Sequence, residues 1–350
     1  MSERRAYLYK GIGETVGVVT LDGRPERLVA QWDVPSWGDD PLDAEGVRGV
    51  ARVKKIERAF NSAFVALPGG ADALLTLKPD MPKLVEGQVV EIEIRNPARR
   101  DKSAVARYVG PAEGQPRVLA HAPTIEELLR LWVKSGSPTQ GLAALEAVEA
   151  AEAEALETVF ALPGGGDVSI EATRALVAID VDLGGRDGDS KKAARAANMA
   201  AFTTAARVLR LKGLAGLVVF DLVGRGHDGP ALSTAARNAF AVDNPGVGLG
   251  PISKFGALEM IVPRRTKPIL DRLLDESGAL TARAGALRLV RAFEREGRAD
   301  PGGKLAGRCA PAVSQAFAAL DSALADKIGR RFTLAVVADW PNDRLEVSSS

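Results

Sequence analysis

The stretch from Thr173 to Val223 constrains the fold more than any other part of the chain. Thr173 to Asp182 reads as a strand, Lys191 to Lys212 as a long Ala-rich amphipathic helix, and Gly216 to Val223 as a second buried strand. Strand, crossover helix, strand is a βαβ unit, which makes the two strands parallel and the crossover right-handed. An open α/β sheet binds ligands beyond the C-terminal ends of its strands. Asp180 and Asp221 fall at or near those two ends, and Asp182 points to the same face as Asp180. If the strands are neighbours, three carboxylates converge without histidine or thiol. That donor set suits a hard cation, and Mg²⁺ is the usual one with a phosphate substrate. Aspartates in such places also serve as loop starters and helix caps, so the residues alone leave both readings open. Asp187 and Asp189, in the glycine-rich turn 184–189, read as loop residues.

Composition removes competing chemistries. Cys309 is the single cysteine, which excludes an intramolecular disulfide and a cysteine-held zinc; it reads as an inert small residue. His121 and His227 are the 2 histidines, leaving little room for a histidine-ligated metal or a His-based triad. Acidic side chains must therefore carry any hydrolysis. With 350 residues, 46% apolar and 26% charged, the chain has the makeup of a globular protein of two or three domains. The net charge of +1 averages over domains and says nothing about a nucleic-acid partner. Local clusters say more: Arg48, Arg52, Lys54, Lys55 and Arg58 form one, and Arg95, Arg99, Arg100, Lys102 and Arg107 another. No apolar run approaches the ~20 residues that span a bilayer, and Met1-Ser-Glu-Arg-Arg opens without a signal core. A cytoplasmic location without membrane association is the expectation.

Elsewhere the patterns are shorter. Residues 14–32 alternate around Asp22-Gly23, a hairpin signal. Five short strands follow, at 47–56, 63–67, 73–77, 88–95 and 104–109, which suits a small closed barrel; the OB fold is the commonest nucleic-acid-binding version. Residues 111–123 read as loop. Thr124-Ile-Glu-Glu127 is a capping box opening a helix, and 141–157 favours a second. Leu162 to Asp167 makes a turn. Later elements are helices at 231–240, 266–275, 281–296 and 311–328, with strands near 258–262 and 332–338.

Several segments carry a family resemblance. Ala178-Ile-Asp-Val-Asp182, then Asn198, then Leu209-Arg-Leu-Lys-Gly-Leu-Ala-Gly-Leu-Val-Val-Phe-Asp221 closely resemble the catalytic stretch of the ribonuclease E/G family, and Ile252-Ser-Lys-Phe-Gly-Ala-Leu-Glu-Met260 is similar to a motif further along it. Glu14 to Asp33 resembles the opening hairpin of the family's ribonuclease-H-like subdomain. Gly49 to Glu57, Ala63-Phe-Val65 and Leu75 to Lys78 resemble its inserted OB-fold module, and Val336 to Glu346 the close of its small C-terminal domain.

The resemblance implies a multidomain α+β and α/β chain. A reduced ribonuclease-H-like subdomain (1–46 and 111–165) would carry an inserted OB-fold β-barrel (47–110). A metal-dependent, DNase-I-like α/β nuclease domain (166–265) and a small α/β C-terminal domain (275–350) would follow. It further implies Mg²⁺ on Asp180 and Asp221, with Mn²⁺ as a substitute, and Asp182 in place of the family's neighbouring Asn. Phe64 and Lys102 match positions implied to contact RNA; barrel core is the other reading of Phe64. Lys54, Lys55, Arg99, Arg100, Lys254, Arg264 and Asn198 are further candidates for holding RNA; Asn198 also reads as a polar helix residue, and Lys254 and Arg264 as solvated charges.

Departures from the family matter as much. Leu74 stands at its second OB-fold phenylalanine, and Gly246 where a 5′-end-binding arginine would be. The Val-Arg-Thr-Ala-Gly segment that senses a 5′-monophosphate is not found. Residues 263–280 hold no cysteine, so neither structural zinc nor a zinc-linked dimer is expected, while pairing of copies through the C-terminal domain stays open. Asp221 is followed by Leu222-Val-Gly-Arg225 in place of the usual Phe-Ile/Val-Asp-Met. The function expected is Mg²⁺-dependent endonucleolytic cleavage of single-stranded RNA that ignores the 5′ end. The rivals are a catalytically impaired RNA-binding protein on the same scaffold, a structural partner in an RNA-processing assembly, and a deoxyribonuclease.

Overall fold

Asp22 and Gly23 both take positive φ, 51° and 79°, as an Asp-Gly pair does in a two-residue hairpin turn. In the computed structural model, which describes residues 3–37, 44–98, 102–134, 136–186, 190–226 and 228–350, this turn sits in a three-stranded sheet. Its strands are β1 (Arg4–Gly11), β2 (Glu14–Leu21) and β3 (Arg24–Trp32), in that order. Arg99 and Arg100, as well as Asp187, Asp189 and His227, lie outside the described residues. The chain forms two compact units. One comprises Met1–Arg4, Val19–Leu28 and Glu149–Pro268, and the other Arg5–Val18, Val29–Val148 and Ile269–Ser350.

The second unit holds a closed five-stranded barrel. Its strands are β4 (Arg48–Glu57), β5 (Ser62–Ala66), β6 (Asp72–Thr76), β7 (Val89–Asn96) and β8 (Ala104–Pro111). The order β5-β6-β8-β7-β4 closes through a β4–β5 pairing, and β6 and β8 run parallel. Alternation along the strands sends Ala51, Val53, Ala63, Val65, Ala73, Leu75, Ile92 and Ala106 inward; the alanines suit a barrel this narrow. A sixth strand, β9 (Arg117–Ala120), pairs with β4, so part of the 111–123 segment is strand, not loop. It escaped notice because it is mostly exposed and shows no alternation. Gly49 admits it: a Cβ there would sit 3.1 Å from the Arg117 carbonyl oxygen. The capping box forms as expected at Thr124 and Glu127, opening α1 (Ile125–Trp132), and α2 (Leu142–Leu156) follows.

The first unit is built on a six-stranded mixed sheet. Its elements in chain order are β10 (Val159–Ala161), β11 (Asp167–Ala172), β12 (Val177–Asp182), α3 (Ser190–Lys212), β13 (Gly216–Asp221), α4 (Gly229–Ala239), β14 (Gly248–Ile252) and β15 (Ala257–Val262). The strand order is β10-β11-β12-β13-β15-β14. β12 and β13 are parallel neighbours, as the βαβ pattern requires, and antiparallel strands flank them. One sheet face packs Ile179, Val181, Val218 and Phe220 against Ala197, Ala201, Phe202 and Ala205 of α3 and Leu232 and Ala236 of α4. The opposite face leaves Asp180, Asp182, Leu217, Asp221, Glu259 and Ile261 exposed. β10, β11 and β14 went unpredicted: two are short, and all three lie among glycines.

Back in the second unit, the chain continues through α5 (Leu270–Leu273), α6 (Ala282–Ala299), β16 (Leu305–Cys309), α7 (Pro311–Phe317), α8 (Asp321–Ile328), β17 (Phe332–Val336) and β18 (Glu346–Ser349). The sheet order is β17-β16-β18. The helix expected over 266–275 shrinks to α5. The one expected over 311–328 is two helices, parted where the Leu320 amide donates to the Phe317 carbonyl oxygen at 2.8 Å in a tighter turn. Arg291 of α6 holds the Glu14 carboxylate with two hydrogen bonds of 2.6 Å, both side chains buried. Cys309 is fully buried, which pushes its thiol pKa up and keeps it unreactive. Among the described residues, no helix is long and apolar enough to cross a membrane.

Candidate active site

The site begins with alternation. In β12, Val177, Ile179 and Val181 are buried, and in β13 Gly216, Val218 and Phe220 are, so Asp180 and Asp221 are turned to the exposed face. Parallel pairing then sets them in register: Asp180 is the direct partner of Asp221 across β12 and β13. Neighbouring strands lie about 4.8 Å apart, which places two carboxylates side by side on one open face. Ala257 of β15 stands opposite Asp221, and Ser169 of β11 opposite Asp180.

The third aspartate behaves differently. Asp182 is exposed, but its carboxylate accepts a 2.6 Å hydrogen bond from the Gly184 amide and caps the turn that leaves β12. Among the described residues, no group of three or more His, Cys, Asp or Glu side chains could hold a metal ion. Asp180 and Asp221 stand as a cross-strand pair, while Asp182 is held at the turn by the Gly184 amide. Asp167, which faces Asp182 on β11, is a carboxylate the sequence reading missed; it stood in what read as a glycine turn. Two exposed carboxylates on adjacent strands fit Mg²⁺, which keeps several waters and takes one or two carboxylates plus phosphate oxygens.

Asn198 sits in α3 at 1% exposure. Its Nδ2 donates to the Val223 carbonyl oxygen at 3.0 Å and its Oδ1 accepts from the Val223 amide at 3.1 Å. The side chain is thus spent on the loop just past Asp221 and has no surface to offer a strand. On the other side of Asp221, the Leu222 amide donates to the Gly256 carbonyl oxygen at 3.2 Å. That bond ties in the β14–β15 turn, which carries Lys254 and Phe255. Lys254 Nζ lies 4.9 Å from the Phe255 ring centre, on the turn that leads into Ala257, the cross-strand neighbour of Asp221. Arg264 does not. It is half-buried with its guanidinium against Gly216, at the far end of β13 and about 16 Å along the strand from Asp221.

The barrel surface is a separate candidate. Phe64 alternates with buried Ala63 and Val65 and is half-buried on the outer face, so it is not barrel core. Its cross-strand partners are Lys55 and Leu74, and Leu74 in turn faces Val105. A cation, an aromatic ring and two aliphatic side chains therefore make one row across four strands. Lys102 is exposed just before β8. Much of the basic charge is locally neutralised: Lys54 pairs with Asp72, Lys55 with Glu57, Arg48 with Glu91, and Arg95 and Arg107 with Glu93. The Arg107 hydrogen bond in particular holds Glu93 below the usual carboxylate range. Phe60, in the turn after β4, is 78% exposed; sequence could not tell it from a core aromatic.

Residues 114–265 match the model of the Ribonuclease E/G family, a span that contains Asp180 and Asp221 but not the barrel. Ribonuclease E of Escherichia coli is 34% identical over 117 residues, covering 32% of this chain and 11% of that protein. Ribonuclease E of Haemophilus influenzae is 34% identical over 117 residues, or 32% of this chain and 12% of that protein. The chloroplastic ribonuclease E/G-like protein of Arabidopsis thaliana is 30% identical over 121 residues, or 33% and 12%. The chain resembles this family through its mixed sheet, and the matched stretch spans no more than 12% of the length of these three relatives.

Proposed function

We propose, from the match of the mixed sheet to ribonucleases, that this chain is a divalent-metal-dependent endoribonuclease acting on single-stranded RNA. The observation that carries the reading is the in-register pair Asp180 and Asp221 on an open sheet face, inside the segment that matches the family. Their carboxylates would hold Mg²⁺, or Mn²⁺ in its place. Bound there, the ion supplies activation of the attacking water and neutralisation of charge on the scissile phosphate.

The remaining work falls to this chain's own groups. Asn198 holds the backbone past Asp221 through Val223 and so positions the carboxylate from behind. Lys254, exposed on the adjoining turn, pairs with a strand phosphate. The barrel, read as an OB-fold module over 47–110, binds single-stranded RNA through the Phe64 row and Lys102, by stacking and by phosphate contact. The domain reading extends to a reduced ribonuclease-H-like subdomain at 1–46 and 111–165, a nuclease domain at 166–265 and a C-terminal domain at 275–350, through which copies would pair without zinc. The chain would work in the cytoplasm, and the absence of the 5′-sensing segment supports cleavage that ignores the 5′ end.

A second reading is an RNA-binding protein that kept the scaffold and lost catalysis. Two observations favour it: the turn's claim on Asp182 and the replacement after Asp221 by Leu222-Val-Gly-Arg225. The two readings separate when the full chain is incubated with a single-stranded RNA oligomer and Mg²⁺ beside Asp180→Asn, Asp221→Asn and an EDTA control. Internal cleavage that vanishes in all three controls supports the enzyme. Binding without metal-dependent cleavage supports the scaffold.

A further inference from the structure

Resting on the nuclease reading above, we propose that Phe255 and Lys254 form a stacking platform that takes one unpaired RNA base beside the Asp180–Asp221 pair. Phe255 is 82% exposed, the largest value among the large apolar side chains of the described residues. It contributes to none of the buried clusters described for the fold, so the fold does not explain its presence.

The turn that carries it is well fixed. The Ser253 amide donates to the Ala257 carbonyl oxygen at 2.8 Å, and the Gly256 amide to the Ser253 carbonyl oxygen at 3.0 Å. The Ser253 hydroxyl oxygen accepts from the Phe255 and Ala257 amides at 3.3 and 3.2 Å. Gly256, buried with φ at 91°, supplies the left-handed residue that closes the turn. The turn is anchored to the site twice, by the Leu222–Gly256 hydrogen bond and by the pairing of Ala257 with Asp221. Phe255 is thus two residues from the direct neighbour of Asp221 and is presented on a pre-ordered support.

Chemistry then selects the ligand. Lys254 places its ammonium 4.9 Å from the Phe255 ring centre and has no carboxylate partner among the described residues. Two acidic groups nearby would repel an unaccompanied polyanion, and an unpaired cation beside them offsets that for a phosphate. An exposed ring attended by a free cation is what a flat base on a phosphate backbone requires. The surrounding turn residues, Pro251, Ser253 and Gly256, add no contiguous apolar patch of the size a protein partner needs. The Phe255 ring face itself carries no hydrogen-bonding group, so the stacking contact does not select among bases.

The test uses the full chain in EDTA, so that binding is read without cleavage, with single-stranded RNA oligomers carrying 2-aminopurine at successive positions. Phe255→Ala should lose about tenfold in affinity and lose the fluorescence quenching at one position, while Phe255→Trp keeps both. An abasic residue at that position should weaken the wild type but leave Phe255→Ala unchanged. Lys254→Gln should lower the slope of log affinity against log salt by about one. Equal unfolding midpoints confirm that these exposed variants fold. If Phe255→Ala binds and quenches like wild type while Phe64→Ala binds more weakly, the platform is overturned and the nuclease reading stands. If the wild type binds no RNA, both fall. If Phe255→Ala changes only self-association, the residue is a protein contact and the platform is overturned.

Discussion

Asp180 and Asp221 are direct cross-strand partners in the parallel β12–β13 pair, both on the exposed face of the sheet. Like charges set side by side repel, so this pair is mildly unfavourable until a cation joins it. That tension makes the arrangement testable without any turnover.

Asp180→Asn and Asp221→Asn should fold normally. In EDTA their unfolding free energy should equal that of the wild type or exceed it by a few tenths of a kcal/mol. Mg²⁺ or Mn²⁺ should raise the wild-type unfolding temperature, because a ligand of the native state stabilises it, and should not raise that of either variant. Equal metal-induced shifts in all three proteins would place the ion elsewhere.

Asn198→Ala should destabilise the protein by about 1–3 kcal/mol, since it removes both partners of the half-buried Val223 amide and carbonyl groups. Denaturant titration measures this. The proposed cleavage rate should fall with RNA affinity unchanged, because the side chain contacts the backbone behind Asp221 and not the strand.

Phe64→Ala should weaken single-stranded RNA binding by about fivefold or more, because the ring stands on the outer barrel face between Lys55 and Leu74. Leu74→Phe should strengthen it by restoring a second ring in the same row. Filter binding at fixed salt reads both; an unaffected Phe64→Ala would show that the barrel grips RNA by charge alone.

Lys212 is buried at 1% exposure, and that burial brings its ammonium pKa down to about 8. In the unfolded chain the group titrates near 10.4. Between those values the unfolded state holds a proton that the folded state has released, so stability should rise with pH over that window and be flat with respect to this group below it. Lys212→Met should abolish the rise, as equilibrium unfolding at pH 7.5, 9 and 10 would show. A wild type that loses stability across this range from the same group would contradict the assignment.

Matched RNAs with 5′-hydroxyl and 5′-monophosphate ends should be cleaved at equal rates, since Gly246 offers no side chain where an end-binding arginine would stand. A large preference for the monophosphate would refute this.

Much of this fold was legible in local patterns, because the forces behind them act over a few residues. Asp22-Gly23 determined its turn, Thr124 and Glu127 their capping box, and the strand–helix–strand pattern around α3 its parallel pair. The period of two along β12 likewise determined that Asp180 and Asp182 share a face. Which strands became neighbours was not legible, because register is set by contacts between residues far apart in sequence. Tertiary structure alone decided that Asp180 meets Asp221 in register, that the Gly184 amide bonds Asp182, and that Asn198 is consumed by Val223. It also decided that Phe64 faces out of its barrel and that Phe255 stands beside Asp221. An aromatic ring reads the same in sequence whether it fills a core or waits at a surface, and only the closing of the barrel and the pairing of β15 with β13 separate the two.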